Sequence, residues 1–205
     1  PAEVQEVMRR ALQMEPRLVP YLAIGIFAGL RPENELGRLD WDKINLKSRT
    51  ITVTGKNAKT KKKRAVPISD NLAAWLETVP EAERAGEIYY YRRALRRVLG
   101  QDQATKAEKR AELEAQAARE GRKLSGPTPD ETPAPEVLRW GQDIMRHTFG
   151  SYRQAVIKNI NQLCEEMGNT PSIARAHYLD PPEAEQAAEF WAITPASVTE
   201  SKEGK

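Results

Sequence analysis

Residues 49–68 read RTITVTGKNAKTKKKRAVPI. RTITVT (49–54) is β-branched and alternates, as a half-buried strand does. RAVPI (64–68) reads as the return strand, and the connector GKNAKTKKK (55–63) is polar and basic. On both sides of this β unit the apolar residues recur at helical spacing. Upstream, residues 2–14 carry Val4, Val7, Met8, Ala11 and Leu12 in that pattern. Pro16–Leu30 contains the apolar run YLAIGIFAGL (21–30), which predicts a buried helix. Pro32 suits the first turn of a further helix through Glu35 and Leu36 toward Leu39 and Trp41. Downstream, Ser69 or Asp70 is placed to cap a helix through Leu72, Trp75 and Leu76.

Farther along, residues 81–100 read as helix, with Arg92, Arg93, Arg96 and Arg97 as a basic stripe. That stripe suits either nucleic-acid backbone contact or a solvated face. Residues 101–123 are rich in Ala, Glu, Lys, Arg and Gln and nearly lack large apolar groups, so an exposed helical insertion is expected. SGPTPDETPAPE (125–136) is a Pro-rich linker. Residues 137–191 read as several short helices around Phe149, Ile157, Ile160, Leu163, Met167, Ile173, Phe190 and Trp191. The expected organisation is one domain over 1–195, interrupted by 101–136, with 196–205 as a flexible tail. No internal repeat is visible.

Composition narrows the classes. At 205 residues and 40% hydrophobic content, one domain with its own core is expected. The net charge is +3 and the pI is about 9.0, too mild by itself to signal nucleic-acid binding. Aromatics make up 6%, which argues against a single-strand binder built on stacking platforms. Cys164 is the one cysteine, so no internal disulfide forms, and a reducing, cytoplasmic setting is expected. The two histidines, His147 and His177, make a zinc site improbable, and no metal or other cofactor is expected. No apolar run reaches the roughly 18 residues of a membrane span. The start, PAEVQEVMRR, is unlike a signal peptide and begins inside a helical pattern, so a piece of a longer protein is expected.

Four separated segments carry the chemistry. FAGLRPENEL (27–36) places Arg31 after the apolar helix. The hairpin offers Lys56 and Lys59. DIMRHTFGSY (143–152) holds Arg146, with His147 directly after it. MGNTPSIARAHY (167–178) ends on Tyr178, nine residues after Asn169. In this order and spacing the four segments resemble the tyrosine recombinases, or phage integrases, in their C-terminal catalytic domain. The resemblance covers about residues 1–100 and 137–195, and a bacterial integrase subgroup is the nearest variant.

The resemblance implies a mainly α domain with a small antiparallel β-sheet. It implies that Tyr178 is the nucleophile, Arg31 and Arg146 are the catalytic arginines, and a hairpin lysine is the general acid. Lys59, eight residues before Pro67, is favoured over Lys56 for that last role. Glu35 matches the carboxylate that usually follows the first arginine, shifted from i+3 to i+4. Asp143 and Asn169 stand where the family usually has histidines. Asp143 is expected to bond to a donor such as Arg146 or a backbone amide, and Asn169 to donate through its amide. His147 and His177 are expected to support packing or a cap. Adjacent helical residues point about 100° apart, which argues against His147 replacing a missing histidine beside Arg146. Lys56, Lys61, Lys62, Lys63 and Arg64 are expected to contact DNA phosphates.

These residue types suit phosphoryl transfer. Guanidiniums hold nonbridging oxygens bidentately and stay charged at any working pH. A tyrosine hydroxyl, with a pKa of about 10, needs activation by its site. The implied function is cleavage and rejoining of double-stranded DNA through a 3′-phosphotyrosyl link, without cofactor, by a homo-tetramer on paired sites. The family's N-terminal DNA-clamping domain is expected to lie outside this fragment. Residues 182–205, with Phe190 and Trp191, are expected to dock onto a neighbouring protomer. Two alternatives stay open: a type IB topoisomerase-like enzyme, and a DNA-binding relative that cuts poorly because of Asp143 and Asn169.

Overall fold

The computed structural model describes residues 1–54, 63–120, 136–141 and 143–200. The chain divides into two units, residues 1–90 with 141–205, and residues 91–140.

The first unit is mainly helical with a small antiparallel sheet. Helix α1 (Ala2–Met14) leads through a 3₁₀ turn at Pro16–Leu18 into α2 (Val19–Ala28). Every residue of α2 is buried. A helix apolar all round belongs at the centre of a core, and α2 packs against α1, α3 and α6. The strands β1 (Ile44–Asn45), β2 (Thr50–Val53) and β3 (Arg64–Pro67) follow, in spatial order β1-β2-β3. Ile51 pairs with Val66 in register, and both are fully buried.

After α3 (Asp70–Glu77) the second unit intervenes. It contains α4 (Arg92–Val98) and α5 (Gln101–Arg119). The first unit resumes with α6 (Ile144–Ile157), α7 (Ile160–Met167), α8 (Pro171–Tyr178), α9 (Ala184–Trp191) and α10 (Pro195–Glu200). Close approach of α6 to α2 depends on Gly25, where a Cβ would lie 2.5 Å from the Met145 sulfur.

Several expectations are corrected. The helix expected from Pro32 to Trp41 does not form. Residues 32–35 make a turn, followed by short 3₁₀ segments at Leu36–Arg38 and Trp41–Lys43. The Trp41 N–H instead donates to the Gly86 carbonyl, and the Ile88 N–H to the Leu39 carbonyl. Of residues 81–100, the 3₁₀ turn Glu81–Glu83 and α4 are helical, while 84–91 are not. The two-residue strand β1 escaped the sequence reading.

The tail expected from residue 196 is helical through Glu200. Thr194 and Ser197 exchange side-chain-to-N–H bonds at the start of α10, Val198 is buried, and α10 packs on α1. Residues 182–200 also fold back on their own chain. Phe190 is fully buried and stacks on Tyr152 at 4.2 Å, and Trp191 Nε1 donates to the Tyr152 carbonyl. Trp75 Nε1 donates to the Ile193 carbonyl at 2.9 Å. Of the two aromatics expected to dock onto a neighbour, Phe190 thus lies in this chain's own core and Trp191 packs half-buried beside it.

Candidate functional site

Helix α2 ends on Gly29, which sits in the left-handed region at φ 64°. Glycine is needed there twice, for the turn and because a Cβ would lie 2.3 Å from the Phe149 ring. The turn sends Arg31 off the helix end. The next turn is wide: the Leu36 N–H reaches the Arg31 carbonyl and the Gly37 N–H the Pro32 carbonyl, each five residues back. This width brings Glu35, four residues on, back to Arg31. Glu35, fully buried, accepts from Arg31 Nη1 at 2.7 Å and from the Arg31 backbone N–H at 3.0 Å.

Arg64, expected to meet DNA, is instead turned inward. Pairing of Val53 with Arg64 places it in the sheet. Its Nη1 and Nη2 donate to the two Glu35 oxygens at 2.9 and 2.6 Å. Burial pushes the Glu35 carboxyl up, but the bonds from Arg64 and Arg31 outweigh that and hold it below its ordinary value.

The C-terminus of α7 joins the parts. The last carbonyls of a helix have no partner within it and carry the negative end of its dipole. Here Arg64 Nε donates to the Glu166 carbonyl at 3.0 Å, Arg146 Nη2 to Met167 at 2.6 Å, and Arg31 Nη2 to Gly168 at 2.9 Å. Three consecutive carbonyls thus take three arginines from distant parts of the chain. Arg146 is anchored at its other end by the Gly29 carbonyl at 2.6 Å. Burial, then repulsion from Arg31, lowers its pKa to about 10, so it remains charged near neutral pH.

Asn169 follows directly. Its Oδ1 accepts from Arg146 Nη2 at 2.8 Å and from Arg31 Nη2 at 3.0 Å. A guanidinium has donors only, which fixes the amide oxygen toward the arginines and its NH₂ away from them. Among the described residues, two of the three guanidiniums, Arg31 and Arg64, share one carboxylate, Glu35, while Arg146 donates to neutral oxygens alone. The excess positive charge suits an anion. Within the same set, three of five N–H groups on Arg31 and on Arg146 are engaged, so each keeps donors to offer.

Tyr178 ends α8 and packs with Phe149, Leu163, Cys164, Met167 and Ala174. Its ring lies against Gly150, where a Cβ would come within 2.5 Å of Cε1 and Cζ. Burial raises the phenol above its ordinary pKa. Arg146 and Arg31 lower it, and Asp143 raises it further. The phenol oxygen is 3.4 Å from His147 Nδ1. His147 and His177 are both exposed, and their rings meet edge to face at 5.4 Å.

Asp143 is exposed in a left-handed conformation, φ 57°, at the start of α6. The expected bond from Arg146 or an amide to its carboxylate is absent among the described residues, because Arg146 is turned to Gly29, Met167 and Asn169. Lys63 is exposed. Lys56, Lys59, Lys61 and Lys62 lie outside the described residues. Among the described residues no three His, Cys, Asp or Glu side chains are grouped to hold a metal, and no helix is long and apolar enough to cross a membrane. The sequence reading missed Arg64 as a partner of Glu35. The one signal was its place in RAVPI, inside the strand and past the lysine run.

Comparisons with known proteins bear on this arrangement. No curated protein matches the chain by sequence. Among solved structures, XerA recombinase superposes with a TM-score of 0.52 at 12% identity, covering 98% of this chain and 63% of its own. The Tn1549 transposon integrase, in complex with transposon right-end DNA, gives 0.53 at 16% identity, covering 93% and 63%. The XerH site-specific recombinase, bound to a palindromic difH substrate in a post-cleavage complex, gives 0.51 at 16% identity, covering 93% and 52%. The chain thus spans between about half and two thirds of these three, and at such identities the likeness is one of fold. The phage integrase family profile matches residues 2–151, a stretch that holds Arg31, Glu35, Arg64, Asp143 and Arg146 and stops before Asn169 and Tyr178. With that match over most of its length, the chain belongs to the phage integrase family.

Proposed function

We propose that this chain cleaves and rejoins double-stranded DNA at specific sites through a 3′-phosphotyrosyl link on Tyr178. The observation that carries the reading is the cluster of three guanidiniums, Arg31 and Arg64 on Glu35 and Arg31 and Arg146 on Asn169, which opens the segment that ends on Tyr178. Arg31 and Arg146 hold the nonbridging oxygens of the scissile phosphate with the N–H groups left to them. Such preorganised charge supplies about 3–4 kcal/mol per donor in comparable sites. Arg64 and Glu35 orient Arg31 and do not touch DNA. Asn169 donates from its outward NH₂ to the phosphate. Lys59 protonates the leaving 5′ oxygen, and Lys56, Lys61, Lys62 and Lys63 contact flanking phosphates.

The link conserves the energy of the phosphodiester, so rejoining requires neither ATP nor metal. Exchange between two duplexes calls for four protomers on paired sites. DNA affinity of this chain alone is weak and steeply dependent on salt.

The test uses nicked duplexes carrying candidate attachment sites, on which the short strand bearing the free 5′ hydroxyl diffuses away after cleavage. A protein–DNA adduct that survives denaturation in the wild type and disappears in Tyr178→Phe supports the reading. Absence of adduct on every cognate site overturns it in favour of a DNA-binding relative. Relaxation of a single supercoiled duplex without paired sites points instead to topoisomerase-like activity.

A further inference from the structure

The two positions where the family resemblance expects histidine hold Asp143 and Asn169, and among the described residues neither is hydrogen-bonded to the Tyr178 hydroxyl. Asn169 has its oxygen on two arginines, and an amide nitrogen accepts no proton. Yet the phenol has one hydrogen-bond partner among the described residues, Nδ1 of His147 at 3.4 Å. His147 and Gly150 lie three apart on α6 and so share one face. Gly150 receives the tyrosine ring on its bare Cα, and His147 stands at the hydroxyl end. Arg146, one residue earlier, is rotated into the arginine cluster. The 100° between neighbours that argued against His147 thus lets one helix serve phosphate and nucleophile at once. His147 is also exposed, so its ring exchanges protons with water.

We propose that His147 is the proton acceptor for Tyr178 in strand cleavage and the donor in rejoining. The inference rests on the recombinase reading above. In cleavage, the bond from Tyr178 Oη to phosphorus forms and the bond from phosphorus to the 5′ oxygen breaks. The phenolic proton passes to Nδ1 of a neutral imidazole that keeps its proton on Nε2, giving an imidazolium. The leaving 5′ oxygen takes its proton from a separate acid, for which Lys59 is proposed. In rejoining, the 5′ hydroxyl returns its proton to that separate group as its oxygen attacks phosphorus, the phosphotyrosyl bond breaks, and His147 returns its proton to the phenolate. The groups facing this exchange are Tyr178 and His177 on α8, Arg146 on α6 and Asp143 at its start, and Arg31 beyond the end of α2. Burial keeps the phenol protonated near neutral pH, so the step needs a base.

The experiment is single-turnover adduct formation on nicked duplexes between pH 5 and 9. The wild-type rate rises with pH across the range in which an imidazole becomes a base and then levels. His147→Gln is slower by about 100-fold and lacks that rise. A substrate with sulfur in place of the 5′ bridging oxygen, which leaves without an acid, does not rescue the variant. In the free protein, Tyr178→Phe shifts the NMR signals of the His147 ring, which the phenol touches.

A His147→Gln variant that cleaves at the wild-type rate, keeps the wild-type pH profile, or is rescued by the bridging sulfur overturns the role of His147. The recombinase reading then stands, provided Tyr178→Phe remains inactive. A wild-type protein that forms no adduct overturns that reading, and this inference with it.

Discussion

Helices α5 and α7 use the same kinds of side chain to opposite ends. Helix α5 has 19 residues and is mostly exposed, and its charges answer one another along its own surface, as Arg110 answers Glu114 at 2.7 Å. Helix α7 has eight residues, is capped by Asn159, and buries Leu163, Cys164, Glu166 and Met167. It offers the end of its backbone to three arginines from outside itself. An exposed i,i+4 pair contributes about 0.3–0.5 kcal/mol. A buried carboxylate between two guanidiniums is a different object: losing it leaves charges inside with nothing to answer them. Length and charge content thus say little about which helix matters. What matters is whether the polar groups are desolvated and who shares them.

The comparison breaks most readily at Glu35. Replacing it with alanine is expected to cost about 3–5 kcal/mol in urea unfolding at pH 7, since Arg31 and Arg64 lose their shared partner. The pH dependence has a definite sign. Glu35 titrates lower in the folded chain than its unfolded value of about 4.3, so its stabilisation is present above that value. It is lost as the pH falls through the folded pKa. Unfolding free energies measured from pH 6 to pH 3 will therefore fall more steeply in the wild type than in Glu35→Gln.

Gly168→Ala comes next. The residue sits at φ 63°, and its Cβ would meet Arg64 Nη1 at 3.0 Å. A loss of about 1–2 kcal/mol is expected for the left-handed alanine, read from the same urea midpoints. Asn159→Ala removes an oxygen that accepts from the Asn161 and Gln162 N–H groups, and about 1 kcal/mol with it. Smallest is Arg110→Ala on α5, expected within about 0.5 kcal/mol of wild type. A loss as large as that at Asn159 would erase the contrast between the two helices.

Legibility in the sequence follows the same division. Helix α2 could be read because an unbroken apolar run has nowhere to go but a core, and α5 because its composition is extreme. The Arg31–Glu35 contact was legible as a spacing four residues long. The meeting of Arg64 with the Glu166 carbonyl was not, because 102 residues separate them and a backbone carbonyl leaves no mark in a sequence. Arg64 was read with the lysines before it, since KKKR looks like one basic run. The register of β2 with β3 divides that run, leaving Arg64 in the sheet. His147 was discounted by a correct rule about adjacent helical residues. The rule fixed the angle between two side chains but could not say that each had something to face.

Consecutive residues of a helix are turned by about 100° about its axis. At the end of α7 this angle separates the carbonyls of Glu166 and Met167, the left-handed Gly168 turns the third off that progression, and together they set positions for three side chains that come from a helix exit, a strand and another helix. None of them need be placed accurately by its own element, because each is corrected against the same short piece of backbone. Small displacements of the sheet or of α2 then reach the site as a shared shift and not as three independent errors. The spacing between the guanidiniums is in effect measured out by one peptide ruler, fixed at its near end by Asn159 and at its far end by Gly168.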